Sequence, residues 1–190
     1  MGWLLIELDV VEKAAGTHFL SQRQTPAYKL PIRTKPNTRT SASKSRRNGQ
    51  DDRAAGAIAA VRAVYAELAA RPVERNCTRL TECCQFRFTG RTPWLTDAEA
   101  LLAAKAWRAT GRTRLPEKPD GSCPMLEDRT GRCLIYADRP FACRTHFCEA
   151  AGGPYDRRDV LDLIRRLETA SAEIGGTEPL PIQSALLKQM

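Results

Sequence analysis

A chain of 190 residues, with 42% hydrophobic and 6% aromatic residues, has room for one small domain with an appendage or at most two small domains. No apolar run approaches the ~20 residues that cross a bilayer, so we expect no membrane-spanning segment and a soluble, cytoplasmic protein. The net charge of +8 is uneven, because residues 1–53 carry ten Lys and Arg against five Asp and Glu. The excess of positive charge therefore lies mostly at the N-terminus.

Residues 1–53 are predicted to form a basic, disordered arm. The stretch 29–53 is rich in Lys, Arg, Ser, Thr and Asn and has few apolar residues, a composition that buries too little surface to fold. Lys44, Arg46 and Arg47 would be the centre of any phosphate contacts, but no aromatic residues lie between these charges and no base-reading motif follows. We therefore favour a solvated tail over a nucleic-acid-binding arm. Alternatively, translation starts further downstream and part of this arm does not belong to the natural protein.

Two helices are predicted in the first half of the remaining chain. Residues 54–70 are rich in Ala and place apolar residues at helical spacing, and Pro72 ends this helix. Thr96 is a good N-cap for the second helix, and Glu99 at its third position completes a capping box. Gly111 ends the second helix.

A third helix is predicted over about 156–174, closed by two glycines and packed against the second helix. Residues 85–89 favour a strand or an extended turn, and residues 133–136 are a short strand candidate. The predicted domain covers 54–176, and 177–190 form a C-terminal tail. The expected fold class is mainly α: a small, irregular, metal-stabilised domain with about three helices and short β segments.

Seven cysteines lie between residues 77 and 148. They form a C-x5-C-C group and, after a gap of 38 residues, a C-x9-C-x9-C-x4-C group. An odd number of thiols argues against a pure disulfide framework, and their polar, Gly- and Pro-rich surroundings argue against buried thiols that serve only as small hydrophobes. The two groups are therefore expected to meet in space at a metal or iron–sulfur site. The cysteines of the second group are expected to lie on loops.

Thiolates from separate loops suit both zinc and an iron–sulfur cluster, and the spacing alone does not separate the two. In an extended segment the adjacent Cys83 and Cys84 point to opposite sides, so either two metals share the site or one thiol lies outside the ligand set. His146 is either an eighth ligand or a neighbouring packing residue. Arginines close in sequence to the cysteines would stabilise the negative charge of such a centre.

Several motifs occur in order around these cysteines: the vicinal pair Cys83–Cys84, the GRTPWLT segment that starts at Gly90, and the CPML, CLIY and RPFACR segments that contain Cys123, Cys133 and Cys143. Over about residues 76–153 they resemble the YkgJ-type cysteine-cluster family of bacteria, described as a zinc- or iron-chelating domain and sometimes as an iron–sulfur oxidoreductase. Leu80 stands where many relatives have another cysteine. The resemblance implies that the metal ligands are Cys77, Cys83, Cys84, Cys123, Cys133, Cys143 and Cys148.

The first functional hypothesis is a metal-binding protein of unknown pathway that stores, delivers or senses zinc or iron. The alternative is an iron–sulfur redox protein that passes electrons to an unknown protein partner. A third is a nucleic-acid-associated protein with a structural metal. The chain has no phosphate-binding glycine loop, no dinucleotide fingerprint and no recognised catalytic constellation, so an oxidoreductase activity is implied by the family resemblance alone.

Overall fold

The computed structural model describes residues 41–71, 82–148 and 151–190, all of which lie in the compact unit Arg39–Met190. The part of the predicted arm before residue 41 and the predicted ligand Cys77 lie outside the described residues. The helices and strands of the described part, in chain order, are α1 (Ser41–Ala70), α2 (Phe86–Thr89), β1 (Trp94–Leu95), α3 (Asp97–Ala109), α4 (Phe141–Thr145), α5 (Leu161–Glu173), β2 (Leu180–Pro181) and α6 (Ile182–Gln189).

Helix α1 is 30 residues long and begins at Ser41, well before the predicted start at residue 54. In the part of α1 whose burial is described, the buried residues, which include Val61 and Val64, lie beyond residue 54, while residues 48–53 are exposed. Extending a helix that is already nucleated adds one hydrogen bond for each residue fixed, so a polar segment can continue a helix that its own composition would not start. Residues 41–53 therefore extend α1, and the described part of this extension, 48–53, faces solvent.

Helix α3 has the start that the sequence predicts. The Thr96 side chain accepts a hydrogen bond from the backbone N–H of Glu99, and the Glu99 carboxylate accepts one from the Thr96 backbone N–H. This capping box satisfies N–H groups that would otherwise lack a partner at the first turn. The helix ends at Ala109, and Gly111 follows with a φ of 82°, a value that favours glycine.

Helix α5 lies against both α1 and α3, not against α3 alone. Its buried face carries Leu163, Leu167 and Ala170, which share a core cluster with Val61 of α1 and Leu102 of α3. These positions recur three and four residues apart, as one face of a helix requires. The third predicted helix is therefore confirmed, with a short 3-10 turn at Arg157–Val160 before it.

The C-terminal residues that the sequence analysis separated as a tail pack into the domain. Helix α6 buries Ile182, Ala185 and Leu186 in a second core cluster, and β2 pairs with β1 in a two-stranded antiparallel sheet. The first turn of α3 is tied to this end of the chain, because the Asp97 carboxylate accepts hydrogen bonds from the Lys188 ammonium at 2.9 Å and from the backbone N–H of Thr177 at 2.8 Å.

The mainly helical fold with a small sheet is confirmed, but two local predictions were wrong. Residues 85–89 contain the helical turn α2, and residues 133–136 contain no strand beyond one bridge from Cys133 to Leu126. The described part has six helices instead of about three, because α2 and α4 are single turns and α6 lies in the predicted tail. Within the residues that the structure describes, no helix combines the length and the apolar character needed to cross a membrane.

Candidate metal centre

Five of the seven cysteines line one cavity of about 170 Å³ beside the second core cluster, whose buried residues Met125, Ile135 and Ile182 also form part of its wall. The five cysteines come from three separate segments of the chain, which confirms that the two cysteine groups meet in space. Each of the five is buried or half-buried, so the thiols are largely shielded from solvent. The five are Cys83, Cys84, Cys123, Cys133 and Cys143.

Backbone hydrogen bonds hold the first two segments together. The Cys123 N–H donates to the carbonyl of Cys84 at 2.8 Å, which fixes the loop containing Cys123 against the vicinal pair. The Leu126 N–H donates to the carbonyl of Cys123 at 3.0 Å, and Leu126 forms the bridge to Cys133. The vicinal pair, Cys123 and Cys133 are therefore placed relative to one another by main-chain contacts.

The third segment is α4, which carries Cys143, and the buried Glu99 holds its N-terminal end. Glu99 Oε1 accepts hydrogen bonds from the Phe141 backbone N–H at 2.8 Å and from the Tyr65 hydroxyl at 3.0 Å. Its other oxygen accepts from the Thr96 backbone and hydroxyl, at 3.2 and 3.1 Å. Burial raises the pKa of Glu99 above its usual 4.5, while these hydrogen bonds lower it. One carboxyl group thus joins α1, α3 and α4.

The pKa values of the two adjacent thiols, Cys83 and Cys84, are shifted in opposite directions. A hydrogen bond from the Cys84 thiol lowers the pKa of Cys83 to about 6, against the effect of burial, and the nearby Arg139 guanidinium lowers it further. The same hydrogen bond, together with burial, raises the pKa of Cys84. At neutral pH Cys83 is therefore largely a thiolate. Cys84 remains protonated, and its S–H group donates a hydrogen bond to the sulfur of Cys83.

The other three thiols of the cavity are protonated at neutral pH. Burial raises the pKa of Cys123 to about 12 and raises that of Cys133 and Cys143 above the usual value for a thiol. Negative charge on Cys83 adds to the rise at each of these sites, which shows that the four sulfur atoms lie within electrostatic reach of one another.

Arg139 supplies positive charge to the same cavity. Its guanidinium lies 4.3 Å from the centre of the Tyr136 ring, and its charge lowers the pKa of Cys83, Cys133 and Cys143. Its Nε atom is buried and has no hydrogen-bond partner among the described residues. A buried N–H group without a partner is costly, so an acceptor in the cavity would stabilise this arrangement.

Cys148 and His146, two further residues singled out from the sequence, do not line this cavity. Cys148 lies in the loop after α4, where its carbonyl accepts hydrogen bonds from Ala151 and Gly153 at 2.9 and 3.1 Å. His146 lies on a larger neighbouring cleft, where burial and the charge of Arg91 lower its pKa. Cys143 lies on the short helix α4 and not on a loop as expected, because the backbone of Pro140 starts a helical turn there.

The thiols are close but are not already arranged around a point. Across residues 41–71, 82–148 and 151–190, no three Cys, His, Asp or Glu side chains form a ready-made metal-binding group. Binding of an ion would therefore require the thiols to turn toward a common centre, with loss of their protons.

Sequence reasoning missed the contribution of two residues to this site. Glu99 was identified only as half of a capping box, and no local signal shows that the same carboxylate also binds α4. Lys118 carried no signal at all, yet its largely buried ammonium group donates to the carbonyl of Leu126 at 3.0 Å and its charge lowers the pKa of Cys123. Each contact joins a residue outside the cysteine-containing motifs to a residue inside one, Phe141 for Glu99 and Leu126 for Lys118.

The fold and the cavity define a small helical domain built around a cluster of thiols. Residues 76–161 match the family model CxxCxxCC, described as "Putative zinc- or iron-chelating domain". The match agrees with the resemblance found in the sequence and supports metal binding. Leu80 takes the place of the second cysteine in the pattern that names the family. Neither a curated protein nor a solved structure matches the chain.

Proposed function

We propose that this protein is a metal-chelating module that binds zinc or iron through the thiolates of Cys83, Cys123, Cys133 and Cys143. The observation that carries this proposal is the convergence of cysteines from three chain segments on one cavity, where each thiol is buried or half-buried. Negative charge on Cys83 raises the pKa of each of the other three, so the four thiols lie within electrostatic reach of one another. Cys84, whose proton is directed at the sulfur of Cys83, would remain outside the ligand set and donate an S–H hydrogen bond to it.

The surroundings of the cavity fit a thiolate-bound metal. Four thiolates around a divalent ion carry a net charge near −2, and Arg139 offers both a compensating charge and a buried N–H group that lacks an acceptor. Zinc bound by four thiolates is a closed, structural centre that supplies folding energy. In this role the chain itself positions the ligands through Glu99 and excludes water by burial.

An iron–sulfur redox protein is the second candidate, and the size of the cavity favours it. A volume of about 170 Å³ exceeds what a single ion bound directly by sulfur needs, given that a cavity of about 10–15 Å³ on the same measure holds one water molecule. The fifth thiol and the Arg139 N–H could then lie against inorganic sulfide, since hydrogen bonds to sulfur tune such centres. Electrons would pass to a protein partner that the chain does not identify.

Metal content of matched cysteine variants tests the ligand assignment. Cys133→Ser removes a thiol from the cavity, whereas Cys148→Ser removes one outside it, and both side chains are half-buried. After anaerobic purification without added metal, we expect Cys133→Ser to lose its metal and melt at lower temperature, and Cys148→Ser to retain both properties. Equal metal content in the two variants would contradict the ligand set.

Acid-labile sulfide distinguishes the two candidates. Stoichiometric metal without sulfide or visible colour supports the zinc module. Iron with sulfide and a broad absorption band near roughly 400 nm supports the redox protein.

A further inference from the structure

A second, larger cleft opens onto the same thiols. It has a volume of about 660 Å³, and four of the cavity cysteines, Cys83, Cys84, Cys123 and Cys143, also form part of its wall. Pockets of about 300–1,000 Å³ are typical of small-molecule sites. A molecule of that size in the cleft would contact the face of the thiol cluster that the small cavity does not enclose.

Charged residues of both signs line this cleft and come from four different parts of the chain. Arg91 precedes β1, Arg157 begins the turn before α5, Glu168 lies on α5 and Glu178 precedes β2. All four are exposed. None of them forms an ion pair with another of the described residues. Two cations and two carboxylates are therefore available to a ligand in one concave site.

This charge pattern selects a class of ligand. A purely anionic molecule would be repelled by the two glutamates, and a purely cationic one by the two arginines, whereas a zwitterion can pair with both. The exposed indole of Trp94 adds an apolar surface to the cleft. The wall of cysteines favours a ligand with a sulfur atom, because a metal that prefers thiolates also accepts an external thiol.

We propose that the cleft binds a small zwitterionic peptide thiol. Its carboxylates pair with Arg91 and Arg157, its ammonium group pairs with Glu168 or Glu178, and its sulfur faces the shared cysteines. The contact with sulfur rests on the proposed metal binding: the thiol loses its proton to solvent and coordinates the metal in place of one protein thiolate, which takes up a proton. No electron transfer is involved, and metal could leave or enter by this ligand exchange.

Reduced glutathione and S-methylglutathione are suitable probes, because they share the same charges and differ in whether the sulfur is free to coordinate. We would titrate each into the full reduced chain by calorimetry, with and without one equivalent of zinc. On the zinc-loaded chain we expect glutathione to bind at least about fivefold more tightly than its S-methyl form. On the zinc-free chain we expect equal affinities, since only the charges contribute there.

Adjacent arginines give a matched pair of variants. Arg157 lines the cleft, whereas the neighbouring Arg158 does not and is paired with Asp156 at 2.9 Å. Both are exposed, so neither Arg157→Gln nor Arg158→Gln is expected to disturb folding. Arg157→Gln should weaken binding of both peptides by about fivefold, the size expected for one exposed charge pair, and Arg158→Gln should leave it unchanged.

Three results would overturn this assignment: no binding of either peptide, equal affinities of the two peptides for the zinc-loaded chain, or equal effects of the two arginine variants. These results are separable from failure of metal binding. If zinc binds and neither peptide does, the cleft assignment falls and the metal proposal stands. If zinc does not bind but both peptides bind in a way that depends on Arg157, the charge-pairing site stands and the metal proposal falls together with the sulfur contact.

Discussion

Glu99→Gln tests whether one buried carboxylate holds the cysteine-bearing helix α4 in place. The side chain keeps its shape, but one oxygen becomes an NH₂ group that can no longer accept hydrogen bonds. The Thr96 hydroxyl can turn to accept from that group, so the least costly orientation takes the present acceptor away from two donors, the Thr96 backbone N–H and the Thr96 hydroxyl proton, of which the hydroxyl proton is free to rotate toward another acceptor. The bonds from Phe141 and Tyr65 remain but lose their charge assistance.

The magnitude follows from these bonds. A buried N–H group left without a partner costs ~1–3 kcal/mol, and each weakened bond costs ~1 kcal/mol. Removal of a buried charge offsets part of this, since burial alone disfavours the ionised form of Glu99. We therefore expect a loss of about 2 kcal/mol in unfolding free energy, which in a chain of this size lowers Tm by about 4–8 °C.

Thermal unfolding followed by far-ultraviolet circular dichroism measures this loss, and Glu173→Gln is the control. Glu173 is an exposed carboxylate at the end of α5, and its change to Gln should shift Tm little. Metal affinity should also fall in Glu99→Gln, because the Phe141 N–H contact positions the turn that carries Cys143. A Glu99→Gln protein with the Tm and metal affinity of the wild type would refute the role of this carboxylate.

Three further predictions concern the thiols, the C-terminal helix and α1. Only Cys83 among the four proposed ligands is already a thiolate at neutral pH, so zinc binding should release about three protons, and zinc affinity should fall as the pH is lowered. Calorimetry in buffers of different ionisation enthalpy measures the number of protons released. Release of four protons would contradict the low pKa of Cys83. Lys188→Met should lower the free energy of unfolding in urea by about 1 kcal/mol, because it removes the cation that pairs with the largely buried Asp97. Lys105→Met, on the exposed side of α3, should leave this free energy unchanged. Similar losses in the two variants would count against the contact between Lys188 and Asp97. Gly56→Ala should raise Tm by an amount equivalent to ~0.5–1 kcal/mol, because Gly56 is an exposed helical residue with open space around it, and a lower Tm would mean that α1 is not helical there.

Helices α3 and α5 could be predicted well from the sequence, because the residues that determine where each helix forms lie within that helix or directly beside its ends. The capping box of Thr96 and Glu99 and the glycine after the last turn act within a few residues of the helix ends, and the buried apolar residues of α5 recur three and four residues apart. The resemblance in the cysteine segments was confirmed for the same reason, since it depends on short motifs in a set order.

Helix α6 could not be predicted from local signals. Eight residues are too few to form a stable helix alone, and the segment follows a stretch rich in Gly and Pro. Its stability comes from the burial of Ile182 and Leu186 against residues of α3 such as Trp107. Such contacts between distant parts of the chain leave little trace in a window of ten residues.

The composition of the candidate centre was also only partly predictable. Spacing indicated that the cysteine groups meet, but it does not tell which thiols point inward, since this depends on the turns that precede them. Cys143 lies in a helical turn that Glu99 holds against the core, whereas Cys148 lies beyond the end of that turn and outside the cavity. Both belong to the same C-x4-C spacing, so only the fold separates them.

X-ray absorption at the edge of the bound metal, on the full chain purified without oxygen and without added metal, tests metal binding by the thiol cluster most directly. We expect about one zinc per chain with a shell of about four sulfur atoms near ~2.3 Å, or iron with an all-sulfur shell. A chain that holds no metal, or one whose metal is surrounded mainly by nitrogen and oxygen, would contradict a thiolate centre at this cavity.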